Sequence, residues 1–429
     1  MEIFLQGIWK RHWSELERGV SMKKILSVIL SIAVAVTMFT GTAFAAADTS
    51  VNSAITAAGK YLQLAAPDPG YGDEWIMFGL SKAGIKMTDE YISSYQKDVE
   101  AKAAEVNGVL HAKKYTEYSR VVLTFSQLGL DPENVAGYNL AEKIFDYDAV
   151  VWQGINGPVW ALRALDSLGD GNDRLKEKYI ECILDGQLAD GGWSISVYME
   201  DGRWVTEGMK ADPDMTGMAV SALAPYYRTD TKVKAAVDKA VTRLSKIQNS
   251  DGGYSTVGTP TAESCAQVIY ALASLGINPN TDSRFIKNGK SAVDGLMSYY
   301  IKDKGAFAHL KGGSANGIAT EQALYSLAQY RNNTPVKGTL SSVKKASSKS
   351  VKCTWKKQSG VKGYHIKVAT NSGFTKNVRN VYVTSGTSSS KTVTNLIKGK
   401  KYYVKVRAYK TVNGNRVYGL YSASKTVKL

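Results

Sequence analysis

The chain is poor in cysteine. Cys182, Cys265 and Cys353 are its three thiols in 429 residues, too few and too widely spaced for a disulfide framework or a Cys-x-x-Cys metal site. An odd number leaves at least one thiol unpaired in a monomer. Buried free thiols are the expectation, with a Cys182 to Cys265 bridge as the alternative that an oxidising compartment permits. Acidic residues are missing from residue 335 to the end, where 21 Lys and Arg face no Asp or Glu. Long apolar runs are missing too: past residue 45 none approaches the roughly 18 to 20 residues needed to span a bilayer, so no membrane span is expected in the mature protein.

One apolar run, Ile25 to Phe39, lies earlier, between Met22-Lys23-Lys24 and Ala43-Phe44-Ala45. A positive start, an apolar stretch and a small-residue site are the parts of a secretory signal. Residues 22–45 are therefore read as a signal peptide, residues 1–21 as an extension ahead of the true start, and the mature protein as exported. The remaining length exceeds what one core usually holds, and charge says where to divide it. The formal net charge of +16 combines a basic tail, 335–429, with a body, 48–334, that holds 28 basic and 35 acidic residues.

The body repeats itself. Gln187 to Ser194 reads Q-L-A-D-G-G-W-S and returns as Gln248 to Ser255, Q-N-S-D-G-G-Y-S. Two glycines allow positive φ at a turn, and an aromatic ring follows. Gln, Gly and a ring make a staple between neighbouring helix pairs rather than a reactive group. A second repeat runs out of phase: Ala- and Leu-rich helices anchored at Leu80, Phe125, Leu165, Leu223, Leu272 and Leu324. Between them lie more charged helical stretches, at about 51–63, 88–106, 139–147, 173–185, 230–248 and 291–302. Little charge suits inner helices, and a charged face suits outer ones. Six such hairpins closed head to tail give an (α/α)6 toroid whose inner helices start at one rim.

The Q-x-x-D-G-G-[WY]-S stretches and the Ala-Leu helices resemble the terpenoid cyclase and protein prenyltransferase toroids. Gly72-Asp73-Glu74-Trp75 and Asp212-Pro213-Asp214-Met215-Thr216 are similar to exported bacterial members related to the cobalamin-carrying toroids. The resemblance covers about 48–334 and implies a fold rather than an activity.

In the tail, apolar residues alternate with polar ones at Val351 to Trp355, Tyr364 to Val368, Val378 to Val383 and Tyr402 to Ala408, which predicts strands. With Trp355 in the second strand and Leu396, Gly399 and Tyr402 as an L-x-x-G-x-x-Y corner, residues 335–429 resemble a fibronectin type III domain. The fold class expected is thus an (α/α)6 toroid followed by a small fibronectin type III-like β-sandwich.

Polar residues gather where the inner helices begin: Asp73, Glu74, Glu117, Asn156, Asp212, Asp214, Glu263 and Asn316. Asp and Asn at a helix start are also caps. Several acids on one rim repel one another, and such clefts are often kept for a ligand. Aromatic residues that suit stacking on a sugar or a flat apolar ligand lie nearby: Tyr71, Trp75, Tyr115, Tyr118, Trp152, Trp160 and Trp204. Trp204 sits in the insertion Val197 to Lys210, which is long enough to fold over the rim. Trp193 and Tyr254 are the repeat rings themselves and read as structural.

If the body is an enzyme, Asp212-x-Asp214-x-Thr216 resembles the acid motif with which class II terpene cyclases protonate an alkene, with Met215 where the family has its last Asp. The residues for that chemistry would be Asp212, Asp214 and Glu263. Toroids that cut polysaccharides with paired acids are another route. Glu263-x-Cys265 with His309 is the nearest approach to a prenyltransferase-like zinc site; the helical position expected for its last ligand falls near Thr320 or Glu321, so neither metal nor cofactor is expected. The leading reading is a binding protein. Its mouth, built from Asp73, Glu74, Trp75, Tyr118, Trp160, Trp204, Asp214 and Glu263, takes a glycan or polycyclic small molecule. Its basic tail meets an anionic cell-wall polymer, and export argues against nucleic acid. A structural surface protein with no small ligand is the third reading.

Overall fold

The computed structural model describes residues 48–169 and 171–429. Residues 22–45, expected to be a signal peptide, and residues 1–21, expected to be an extension, lie outside the described residues. Among the described residues no helix is long and apolar enough to cross a membrane. Among the described residues twelve α-helices precede a β domain: α1 Asp48–Ala65, α2 Glu74–Lys82, α3 Asp89–Glu105, α4 Thr116–Leu128, α5 Tyr147–Val151, α6 Asn156–Ser167, α7 Asp173–Asp185, α8 Pro213–Leu223, α9 Thr231–Ile247, α10 Ala262–Ser274, α11 Ala292–Met297 and α12 Gly317–Asn333.

Burial separates the even helices from the odd. In α10 eleven of thirteen residues are buried, as a helix covered on every side requires. In α9 burial is confined to Val233, Ala236, Val237, Ala240, Val241 and Leu244, a stripe at the three-and-four spacing of one helix face. The even helices pack in succession, α2 on α4, α4 on α6, α6 on α8, α8 on α10, α10 on α12 and α12 on α2. They run the same way. Helix starts meet where Thr116 N–H donates to Gln153 Oε1 at 2.9 Å and where Ser264 Oγ donates to Asp214 at 2.8 Å. Helix ends meet where Gln329 donates to Ser274 Oγ at 3.0 Å and where Arg331 donates to the Ala83 carbonyl at 2.7 Å.

The Gln-Asp-Gly-Gly repeats are the joints of this packing. Gln187 Nε2 donates to the carbonyls of Gly191 and Ala236, both at 2.8 Å. Gln248 Nε2 does the same to Gly252 at 2.9 Å and Phe285 at 3.1 Å. Each amide ties its own turn to the next outer element. At Gly192 a Cβ would come within 2.5 Å of Ala211 Cβ and 2.6 Å of Thr216 Oγ1, so the turn seats directly on α8. Thr216 Oγ1 accepts from Trp193 N–H and donates to its carbonyl, both at 3.0 Å, and the Trp193 and Tyr254 rings are fully buried.

Two outer stretches depart from expectation. The helix expected at 139–147 is a 3-10 turn, Ala141–Phe145, which breaks at Asp146 (ψ 87°) because that side chain caps α5 through Ala149 N–H. The helix expected at 291–302 stops at Met297, and Tyr300–Ile301 pairs instead with Ala306–Phe307, in keeping with the strand preference of aromatic and β-branched residues. All three cysteines are buried and free.

The β domain has strands β1 Leu340–Ser347, β2 Ser350–Trp355, β3 Gly363–Ala369, β4 Arg379–Val383, β5 Ser390–Val393, β6 Lys401–Val412, β7 Asn415–Tyr418 and β8 Lys425–Lys428. One sheet has the order β5-β2-β1, the other β4-β3-β6-β7, with β8 also on β6. Alternate residues such as Val351, Cys353 and Trp355 face Tyr364, Ile366 and Val368 in the core between them. The Tyr402 hydroxyl accepts from Ile397 N–H at 2.7 Å, and Gly399 takes φ +78° in the intervening turn.

This domain docks on the ends of the even helices. Asn413 Nδ2 donates to the Ala224 carbonyl at 2.8 Å and the Ser274 carbonyl at 2.9 Å, and Asn415 Nδ2 to Leu275 at 2.9 Å. The Ser274 and Leu275 carbonyls are terminal ones that a helix leaves without intrahelical partners, and the Ala224 carbonyl also accepts from Tyr227 N–H. A cationic domain is favoured at that end, where the helix dipoles are negative.

Candidate functional site

Helical spacing sorts the inward-facing side chains into layers. Trp75 lies one turn before Phe78 on α2, Trp160 before Arg163 on α6, Asp214 before Met218 on α8, Glu263 before Gln267 on α10 and Glu321 before Tyr325 on α12. Phe78, Leu123, Trp160, Tyr270 and Tyr325 form a separate buried cluster, with Trp75 and Met218 packed on it. All six even helices contribute, so the space between them is filled by side chains.

Two cations share the cluster. The Arg163 guanidinium lies 4.3 Å from the Trp160 ring centre and 5.0 Å from that of Tyr270. Lys82 Nζ is 5.3 Å from the rings of Phe78 and Tyr270. Burial would raise the Tyr270 phenol, but these two charges pull it below its ordinary value. Gln267 Nε2 donates to Tyr325 Oη at 2.6 Å and to Gln322 Oε1 at 2.8 Å.

Nearer the helix starts the layer opens. Trp75 is partly exposed and covers Trp160, ring centres 4.8 Å apart. Glu321 and Gln322 of α12 are also partly accessible. Burial, then the negative charges of Asp73 and Glu74, pushes the Glu321 carboxyl up to about 8, with Arg120 opposing. Burial likewise raises Asp214, to about 6, against hydrogen bonds from Thr256 and Ser264.

The other residues expected at the mouth divide by role. Asp212 is a cap: Oδ1 accepts from Met215 N–H at 2.7 Å and Oδ2 from Ile195 N–H at 2.9 Å. Asn316 caps α12 through Ala319 N–H. Asp73 Oδ2 accepts from Gly70 N–H at 2.9 Å. Glu74 is wholly buried, with Arg120 Nε at 3.0 Å, and Arg120 reaches Glu117 at 2.6 Å; burial raises the Glu74 carboxyl while Arg120 opposes. Tyr118 is buried in the main core with its hydroxyl on the His111 carbonyl at 3.2 Å. Trp204 Nε1 donates to the Cys182 carbonyl at 2.8 Å, which pins the Tyr198–Val205 hairpin to α7, and the Val197 carbonyl at its base accepts from Ile155 N–H at 3.2 Å, at the start of α6. Glu263 pairs with His309 Nδ1 at 2.8 Å, whereas Cys265 is fully buried among core residues; no three ligands converge there.

Of the expected group, Trp75, Asp214 and Glu263 are partly accessible near the helix starts, and Trp160 is buried beneath Trp75. Glu321 and Gln322 are further partly accessible residues there, with Arg163 and Gln267 buried one turn deeper, and their signal in sequence is polarity inside otherwise Ala- and Leu-rich helices.

Residues 335–418 match the family model described as fibronectin type III domain. Solved structures of fibronectin type III domains each cover about a fifth of this chain. The FN1-FN3 domains of chicken CNTN1 are 25% identical, with 22% of this chain and 32% of that chain covered and a TM-score of 0.19. The FN5 domain of Drosophila Lar is 24% identical, covering 22% and 95%, TM-score 0.18. An FN3 domain of human collagen XX is 23% identical, covering 22% and 91%, TM-score 0.17. The chain thus spans about a third of the contactin chain. No curated protein matches.

Proposed function

We propose that residues 48–334 form an (α/α)6 toroid in an exported surface protein that binds a glycan where its inner helices begin. The fibronectin type III domain would associate with an anionic wall polymer. The observation that carries the glycan reading is Trp75, a partly exposed indole whose ring lies 4.8 Å from Trp160 and 6.1 Å from Tyr325, at the end of the cluster where Glu321 and Gln322 of α12 are also partly accessible. A sugar ring presents an apolar face to an indole and hydroxyls to carboxyls and amides around it. A polycyclic molecule calls for apolar depth, and the filled centre favours the shallower ligand. The test is binding of the full chain to immobilised glycans. Trp75→Ala should weaken retention about tenfold, as loss of a stacking ring does, without lowering stability by more than the buried fraction of that ring accounts for. Undiminished binding by Trp75→Ala, or no glycan retained by the parent protein, refutes it.

The second reading is a polysaccharide-cleaving enzyme, favoured by one observation: Glu321 keeps its proton to about pH 8, as a general acid must near neutrality. Glycan cleavage lost in Glu321→Gln with binding retained would select it. Alkene protonation has less support, since Asp212 is spent on capping and Thr216 on the Trp193 backbone.

A further inference from the structure

We propose that the cleft between the helical and β domains is a second binding site, for a small ligand carrying an oxyanion. The cleft measures about 460 Å³, within the range of small-molecule sites, which favour domain junctions. Its helical wall includes Tyr227, Asp238, Asp282 and Arg284, and its β wall Arg407, Arg416 and Tyr418.

The two walls differ in how their charges are satisfied. On the helical side each acid is already neutralised. Asp238 accepts from Lys234 and from the Tyr227 hydroxyl, and Asp282 holds Arg284 by two bonds of 2.9 Å. On the β side no such pairing exists. The domain has no carboxylate side chain, and neither Arg407 nor Arg416 is ion-paired among the described residues. They rest instead on aromatic faces: Arg407 on Tyr418 at 3.9 Å and Tyr421 at 4.3 Å, Arg416 on Tyr382 at 4.9 Å and Tyr409 at 5.3 Å.

Stacking uses the flat face of a guanidinium and leaves its in-plane N–H donors free. Arg407 spends Nε on His365 Nδ1 at 3.3 Å, and its two terminal nitrogens remain. Those donors match the edge of a phosphate or carboxylate, the planar partner that arginine takes bidentately. The cleft is also held in shape without a ligand. Asn415 Nδ2 bonds Leu275, and Asn278 Nδ2 bonds the Tyr418 carbonyl at 3.1 Å, so residues of the two walls grip each other across the junction. A preformed site avoids the ordering cost of binding.

This inference stands apart from the glycan reading, which concerns the other end of the helices, and from attraction of a polymer by net charge. The test is calorimetric titration of the full chain at 0.15 M salt with glycerol 3-phosphate and, separately, glycerate, which place the two oxyanions on one skeleton. One saturable site is expected for at least one of them. Arg407→Gln should weaken it about tenfold, as loss of a charge-assisted pair does. Arg416 is exposed, so Arg416→Gln provides a variant whose fold is not at risk, with the same expectation. Lys376→Gln with Lys391→Gln removes two charges elsewhere on the domain and should leave affinity unchanged. Equal weakening by the lysine pair, equal binding of glycerol, or no saturation by either anion below about 10 mM, an affinity of less than about 3 kcal/mol, overturns the proposal.

Discussion

Glu321 holds its proton in the folded chain up to about pH 8, against 4.5 for an ordinary glutamate. Between those limits the folded state binds more protons than the unfolded one, so stability falls as pH rises across the window. A tenfold difference in proton affinity is worth about 1.4 kcal/mol, which sets an upper bound of about 5 kcal/mol at alkaline pH. Water reaching a partly open side chain reduces this, and about 2 kcal/mol is the figure we adopt. Glu321→Gln keeps the shape and removes the titration. Urea unfolding of both proteins should give midpoints that coincide near pH 5 and separate by pH 9, with the variant more stable by about 2 kcal/mol. A variant less stable at pH 9, or a gain equal at both pH values, would show that Glu321 is ionised and compensated and would refute the reasoning.

Further outcomes follow from the joints and the tail. Gln248→Ala leaves the buried carbonyls of Gly252 and Phe285 without their donor, so urea unfolding should show a loss of about 2 to 4 kcal/mol; a loss under half a kcal/mol would mean that water replaces the amide. Asn413→Ala removes the shared cap of α8 and α10. It should cost about 1 to 2 kcal/mol and speed protease cleavage between the domains near residues 334–339, and an unaltered cleavage rate would count against the cap as a clamp. The full chain should bind anionic cell wall and be released between about 0.1 and 0.5 M salt as screening shortens the reach of its charge, whereas retention unchanged at high salt would exclude a charge-driven tail.

The repeats were legible because they follow from local rules. A Gln ahead of Asp-Gly-Gly and a ring recurs where a tight turn must seat on a neighbouring helix, and Gly192 has no room for a side chain. The even helices were legible by their lack of charge. The direction in which each polar residue points was less so. Successive helical residues are 100° apart, so Glu74 and Trp75, adjacent in sequence, part company: Glu74 turns to Arg120 on α4 and Trp75 to the centre. Glu263 and Cys265 are 200° apart, which is why one meets His309 and the other enters the core. A helix buried on all sides has no polar face to mark its orientation. Glu321 was therefore legible as a polar residue in an apolar helix, but its surroundings were not until α2, α4 and α12 were packed side by side.

The acids near the helix starts show why that packing matters. Each must be compensated where water is scarce, and each is compensated differently. Glu74 has the Arg120 guanidinium and the Gly72 N–H. Asp212 has two backbone N–H groups, and Asp214 has two hydroxyls, from Thr256 and Ser264. A capped or paired carboxylate has less to offer a ligand than one without such partners. Glu321 is compensated by its own proton, and Asp73, Glu74 and Arg120 act on it only through their charges. A carboxyl that is neutral and partly open can donate to a sugar oxygen or accept from a hydroxyl with no ion pair to break. The rim was first of interest as a collection of charges. Under the proposed glycan reading the useful polar group is the one whose charge is suppressed, and that shifts the expectation from Asp212 and Glu74 to Glu321 and Trp75.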